Sequence, residues 1–275
     1  MSTITSALRA LDNDELPASV QAVGAWPEVG KRYQFLSTLD VVNTLREQGL
    51  RPYQARESRT RIEGKAPYTK HMLRFRHVDA IPMKGGVYPE IVLTNSHSSS
   101  SSFKVDLGLF RLVCMNGLVV SYGRAYEYRV RHVGNALDNV VEAISSAMLE
   151  LPNLSENVAL MQATELSPLM RISFAEQAMG LRWEQGQEPF LGASLLRTRR
   201  FEDTGSDLWS IYNVVQENLI RGLSKWQARP TVMGERHGSR QVGSIDTDMH
   251  VNKGLWELAQ AFTVNTQALE PGVLV

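Results

Sequence analysis

The residues best equipped for chemistry are arginines and tyrosines set at strand spacing. In HMLRFRH, Arg74 and Arg76 stand two apart. In SYGRAYEYRVRH, Tyr122, Arg124, Tyr126 and Tyr128 share one parity while Arg129 and Arg131 share the other. Side chains alternate across a strand, so each set falls on one face. Guanidiniums neutralise phosphates, and aromatic rings stack bases at ~1–3 kcal/mol each. Basic and aromatic residues interleaved in this way are what a surface holding a single-stranded polyanion requires. The polar segment 227–243 adds Arg229, Arg236, His237 and Arg240 among glycines. A loop of that length is expected either to close over a backbone or to serve as a connector.

Other chemistries find less support. Cys114 lies in the apolar run LFRLVCMN, where a thiol behaves as a small buried hydrophobe, and no cysteine-hydrolase signature surrounds it. A single cysteine also excludes an internal disulfide. There is no G-x-S-x-G elbow, no Walker A loop and no G-x-G-x-x-G. His71 and His77 share a strand face without a metal-binding motif, so neither a metal nor a cofactor is expected. Asp246 and Asp248 in SIDTDMH are the nearest approach to the carboxylates of a metal-dependent nuclease or hydrolase, and a helix N-cap explains them more simply. The chain is not expected to be an enzyme.

The charge distribution supports the polyanion reading. The 275 residues carry 29 basic and 29 acidic side chains, yet residues 31–131 hold 17 basic against 8 acidic and residues 132–170 hold 0 against 5. Such asymmetry fits a polyanionic partner, and pairing of the two blocks across the fold would produce it too.

The elements that must position these residues follow from periodicity. STLDVVNTLREQG offers Ser37 as N-cap, Leu39, Val42 and Leu45 at helical spacing, and Gly49 at the C-terminal end. The period then changes to two. HMLRFRHV presents Leu73 and Phe75 to a core and both arginines to the opposite face, and YPEIVLTN is the next strand. The uninterrupted serines 98–102 make a flexible hairpin loop. In FKVDLGLFRLVCMNGLVVSYG, Gly108 is expected to mark a bulge where the parity switches, and Asn116-Gly117 a hairpin turn. Helices follow: ALDNVVEAISSAMLEL, ended by Pro152, then ENVALMQATEL, SFAEQAMGLRW, DLWSIYNVVQENLIRGLSKW with Trp226 on its apolar stripe, and KGLWELAQAF. The expected class is α+β, an antiparallel β-meander of about five strands backed by helices and followed by a helical C-terminal region. The expected parts are an N-terminal segment 1–30, a basic core 31–152 and a helical region 153–275 packing on it.

The stretches HMLRFRH, EIVLTNSH, the serine run, FRLVCMNGLVV and RHVGN resemble the uncharacterised phage/plasmid-like protein family, a domain of unknown function carried by prophages, plasmids and integrative elements. The resemblance covers roughly residues 30–260 and is most specific at residues 90–135. Where the family usually shows Asn-Ser-His-Asp-Gly before its serines, this chain keeps Asn95, Ser96 and His97 and has Ser98 and Ser99. The resemblance implies a setting on mobile bacterial DNA. It adds Asn95, Ser96 and His97, with Lys104 and His132 in the same stretch, to the candidate contacts of Arg74, Arg76, Arg124, Tyr126, Arg129, Arg131, Arg236 and Arg240.

Two functions of different class fit that setting. One is a single-stranded DNA-binding or annealing protein acting in recombination or replication, similar in plan to phage annealing proteins and homo-oligomeric. The other is a counter-defence protein, of anti-restriction type, that binds a host defence protein. The basic block argues mildly against the acidic DNA mimicry common among the latter. No run reaches the ~18–20 apolar residues of a membrane span, and MSTITSALRALDNDELPASV carries acids where a signal peptide would be basic and then apolar, so a cytoplasmic location in a bacterial cell is expected.

Overall fold

In the computed structural model, which describes residues 9–31, 33–83, 86–111, 116–120, 128–130, 136–230 and 237–269, the Ser37 hydroxyl accepts from Asp40 N at 3.2 Å and starts helix α1, Thr38–Glu47. That bond satisfies a backbone donor that has no partner inside the helix. Gly49, at φ 81°, turns the chain into the first strand in a conformation that glycine adopts without penalty.

Strands β1 (Leu50–Glu57), β2 (His71–His77), β3 (Val87–Asn95), β4 (Phe103–Arg111) and β5 (Asn116–Val119) form an antiparallel sheet in sequence order. A short β6 (Tyr128–Val130) pairs with the start of β4, whose end pairs with β5. Leu73, Leu93 and Val105 are in register across three strands, as are Phe75, Ile91 and Leu107, and all six are buried. Val41, Val42 and Leu45 of α1 are buried as well, and α1 reaches β1 and helix α2, Ala136–Met148, which itself touches β4 and β6. Burying each large apolar side chain contributes ~1.5–3 kcal/mol, so this shared side is the core of the N-terminal unit.

Three expectations are corrected. Gly108 is not a bulge, because β3 and β4 keep one register from Thr94 opposite Lys104 to Val87 opposite Arg111; the irregularity lies in β1, between Pro52 and Gln54. Asn116 and Gly117 are not turn residues but the first residues of β5, with Asn116 opposite Arg111. Residues 112–115, Cys114 among them, lie outside the described residues. Pro152 does not merely end a helix. It stands in the first turn of helix α3, Leu151–Ala163, where a missing N–H leaves no helical bond unmade.

The chain divides into two compact units, Met1–Pro152 and Asn153–Val275. In the second, helix α4 (Pro168–Met179, capped by Ser167), helix α5 (Leu208–Arg221, capped by Asp207) and helix α6 (Ile245–Leu269) pack against one another. Tyr212 of α5 stacks on Trp209 at 5.7 Å and meets Trp256 of α6 edge-on at 5.9 Å, and all three are buried. Gly222, at φ 77°, ends α5, so Trp226 does not extend its apolar stripe: it is 74% exposed. Among the described residues, no helix is long and apolar enough to cross a membrane.

Candidate functional site

Arg74 and Arg76 do not face solvent. They are 2% and 4% exposed and converge on one buried carboxylate: Arg74 Nε donates to Glu90 Oε2 at 2.5 Å and Arg76 Nε to Glu90 Oε1 at 2.9 Å. Arg74 runs on across the sheet to donate from Nη2 to the Leu118 carbonyl at 2.6 Å. Two glycines open its path. A Cβ on Gly117 would sit 2.5 Å from Arg74 Cζ, and one on Gly108 would sit 2.9 Å from Arg74 Nη2 and 2.8 Å from Val92 Cγ2. The Arg76 guanidinium is sandwiched between the rings of Tyr53, at 4.1 Å, and Phe110, at 4.2 Å. Burial pulls its pKa below the usual guanidinium value against the opposing pull of Glu90. The pair expected to line a phosphate groove is therefore a dry ionic cluster that ties β2 to β3, β4 and β5.

Asn95, Ser96 and His97 are also buried, at 1%, 0% and 0% exposure, so their side chains do not meet a strand in solvent. Asn95 and His97 brace the start of α1. Thr38 Oγ1 lies 2.9 Å from His71 Nε2 and 3.3 Å from His97 Nε2, and it accepts from Asn95 Nδ2 at 3.0 Å. His71 Nδ1 lies 3.2 Å from the Thr69 carbonyl, which can only accept. The proton of a neutral His71 is thus on Nδ1, the Thr38 hydroxyl donates to His71 Nε2, and His97 Nε2 donates to Thr38. Burial, reinforced by the neighbouring His97, lowers the His71 pKa from 6.5 to about 3.

Because His71 is held neutral in the fold and takes a proton at ordinary pH when unfolded, the unfolded state binds more protons as pH falls below ~6.5, and stability is lost from there down to about pH 3. Between pH 7 and pH 5 this residue alone should remove about 2 kcal/mol. Urea denaturation at both pH values checks this, with His71→Gln expected to flatten the dependence. An unchanged dependence in that variant would contradict it.

The serine loop is exposed at Ser99, Ser100 and Ser102, and Ser96 Oγ gathers it by accepting from Ser98 N at 3.2 Å and Ser100 N at 3.3 Å. Ser99 has φ 53°, in the left-handed region, at the position where the resembled family usually carries glycine. Ser99→Gly is therefore expected to stabilise the protein by about 0.5–1 kcal/mol, read as a raised midpoint in thermal denaturation. A lowered midpoint would contradict that account.

Of the remaining candidates, Lys104 is half-buried and stands opposite Arg129 where β4 pairs with β6, so two basic positions are cross-strand neighbours. Arg240 is exposed, and its carbonyl is held by Arg182. Arg124, Tyr126, Arg131, His132 and Arg236 lie outside the described residues. Asp248, one of the two carboxylates considered for a metal, accepts from Asn252 Nδ2 at 2.6 Å within α6. Among the described residues no group of three His, Cys, Asp or Glu side chains is placed to hold a metal.

Periodicity did not single out the connection between β1 and β2. Arg59 and Arg61 are exposed there, with no ion pair or hydrogen bond to either guanidinium among the described residues, and Ile62 is exposed beside them. The connection leans on an aromatic pair. Trp26 and Tyr68 have ring centroids 5.4 Å apart, and Lys65 Nζ stands 5.9 Å from the Trp26 centroid. Backbone bonds fix this cluster to the serine loop: Trp26 N donates to His97 O at 2.8 Å and His97 N to Tyr68 O at 3.1 Å. One connection thus carries two exposed cations and one ring of a half-buried pair tied by backbone bonds to the serine loop. The signal in the sequence was RTRIEGK, a basic run with no strand or helix period.

A family model described as a domain of unknown function, DUF932, matches residues 26–256. The chain belongs to the DUF932 family. Two Escherichia coli (strain K12) proteins, UPF0380 protein YafZ and UPF0380 protein YfjQ, are 36% and 35% identical to it over 240 residues, which is 86% of this chain and 85% of each of theirs. No solved structure matches. The DUF932 match agrees with the resemblance to a phage/plasmid-like domain, and it takes in the buried ionic cluster, the His71 brace and the Trp26 rim alike.

Proposed function

We propose that the protein binds single-stranded nucleic acid, DNA of a mobile element, through the rim formed by Trp26, Tyr68 and the β1–β2 connection. The observation that carries this reading is the pair of exposed guanidiniums, Arg59 and Arg61, without partners among the described residues, in the same connection that carries Tyr68 to the Trp26 ring and Lys65 over it. Part of the basic surplus of residues 31–131 is internal, since Arg74, Arg76 and Arg111 are buried; the exposed remainder includes Lys31, Arg59 and Arg61. Flexible cations follow a backbone whose phosphates are unevenly spaced, and rings accept any base. Annealing of complementary strands by several copies of the chain is the process this binding would serve.

A mobility-shift series with single-stranded DNA, duplex DNA and RNA tests the reading. Single strands should bind best, with log K falling against log salt by about 0.7 per phosphate contact. No shift of any single strand at ~50 mM salt would overturn it and favour a host protein as partner.

A further inference from the structure

The C-terminal unit contains a cleft of about 650 Å³ at the N-terminal end of α4, closed on its other sides by residues 193–198, 203–205 and 226–230. Three arginines from separate segments line it: Arg171 in the first turn of α4, Arg197 after a short 3-10 turn, and Arg229 beyond the end of α5. Arg171 is aimed by a bond from Nε to the Leu166 carbonyl at 2.8 Å, which leaves both of its terminal nitrogens without a partner among the described residues. The guanidiniums of Arg197 and Arg229 have no ion pair or hydrogen bond among the described residues either. The acid in the described lining, Asp203, is buried and already bound by Arg200 at 2.8 Å.

The backbones that carry these cations are held from below. Asn218, buried in α5, donates from Nδ2 to the carbonyls of Leu195 at 2.8 Å and Arg197 at 2.9 Å. The buried Ser194 hydroxyl accepts from Arg229 N at 2.8 Å. At the mouth stands Trp226, with Lys225 Nζ 4.9 Å from its centroid. Ile172, Leu196 and Ile211 make the wall apolar. Three cations that line one cleft without a free counter-charge, one aimed by its own side-chain bond and two carried on fixed backbone, favour an anion between them, and bidentate guanidiniums suit phosphate. A flat exposed indole suits an aromatic base, and the volume falls in the range of small-molecule sites.

We propose that this cleft binds a nucleotide, its phosphate held by Arg171, Arg197 and Arg229 and its base stacked on Trp226. The site belongs to the C-terminal unit and does not depend on the rim of the N-terminal unit. Two sources of the ligand share this chemistry, a free mononucleotide and the 5′-phosphorylated end of a strand.

Titration of the full chain with adenosine 5′-monophosphate, followed by tryptophan fluorescence and calorimetry, tests it. Adenosine and inorganic phosphate should each bind at least about tenfold more weakly, since one lacks the charge contacts and the other the stack. Arg197→Ala with Arg229→Ala should weaken the nucleotide roughly ten- to a hundredfold with an unchanged melting curve, because both side chains are exposed. Trp226→Phe should keep binding and Trp226→Ala lose it. If a 5′-phosphorylated trinucleotide binds more tightly than the mononucleotide in the Arg59→Ala with Arg61→Ala protein, where the rim contacts are removed, a strand end is the source; equal affinity there identifies the free nucleotide. No binding at ~1 mM, equal affinity for inorganic phosphate, or binding indifferent to the double substitution would overturn the proposal. Arg59→Ala with Arg61→Ala should leave mononucleotide binding untouched, so loss of the rim reading and loss of this one are told apart.

Discussion

Glu90→Gln should lower the free energy of unfolding by about 3–5 kcal/mol, the largest effect expected of any single conservative substitution in the sheet. The side chain keeps its volume, so the loss is electrostatic. One carboxylate satisfies Arg74 at 2.5 Å and Arg76 at 2.9 Å, and all three groups are at most 4% exposed. Removing its charge leaves two guanidiniums facing each other out of reach of water. Replacing the whole cluster by Arg74→Met, Arg76→Met and Glu90→Leu together should destabilise far less than Glu90→Gln alone, because no buried charge then remains unpaired. Urea denaturation of the two variants reads the difference directly. A loss below ~1 kcal/mol for Glu90→Gln would mean that water reaches the cluster.

That cluster also shows where the sequence was legible and where it was not. Helix α1 was readable because its signals are local: Ser37 caps it, Val42 and Leu45 recur at its period, and Gly49 ends it. The strands were readable from alternation. Alternation sorts residues by face, however, and does not reveal what covers a face. Arginine usually lies at the surface, so spacing alone points Arg74 and Arg76 to solvent. What buries them is non-local: the Glu90 carboxylate that both guanidiniums reach from the neighbouring strand, and the glycines at 108 and 117 whose missing side chains make room for Arg74. Gly108 and Gly117 read as a bulge and a hairpin turn, whereas in the fold their missing side chains make room for Arg74, and Gly222, at φ 77°, ends α5 inside a run whose apolar period continues past it. Trp226 consequently moved from an expected core stripe to the mouth of a cleft. Arg59 and Arg61 lie in a loop, which has no period to mark them.

In the proposed function Arg59 and Arg61 supply phosphate contacts. The most direct test measures the salt dependence of single-stranded DNA affinity for the wild type and for Arg59→Ala with Arg61→Ala. Both residues are exposed and unpartnered among the described residues, so the double variant should melt at the wild-type temperature. Each lost contact removes about 0.7 from the slope of log K against log salt, so the double variant should be shallower by about 1.4 and bind roughly fifty- to a hundredfold more weakly at ~50 mM salt. Near ~1 M salt the two proteins should converge, because what remains is stacking on the rings. A parallel pair of lines, or identical affinities at low salt, would contradict the account.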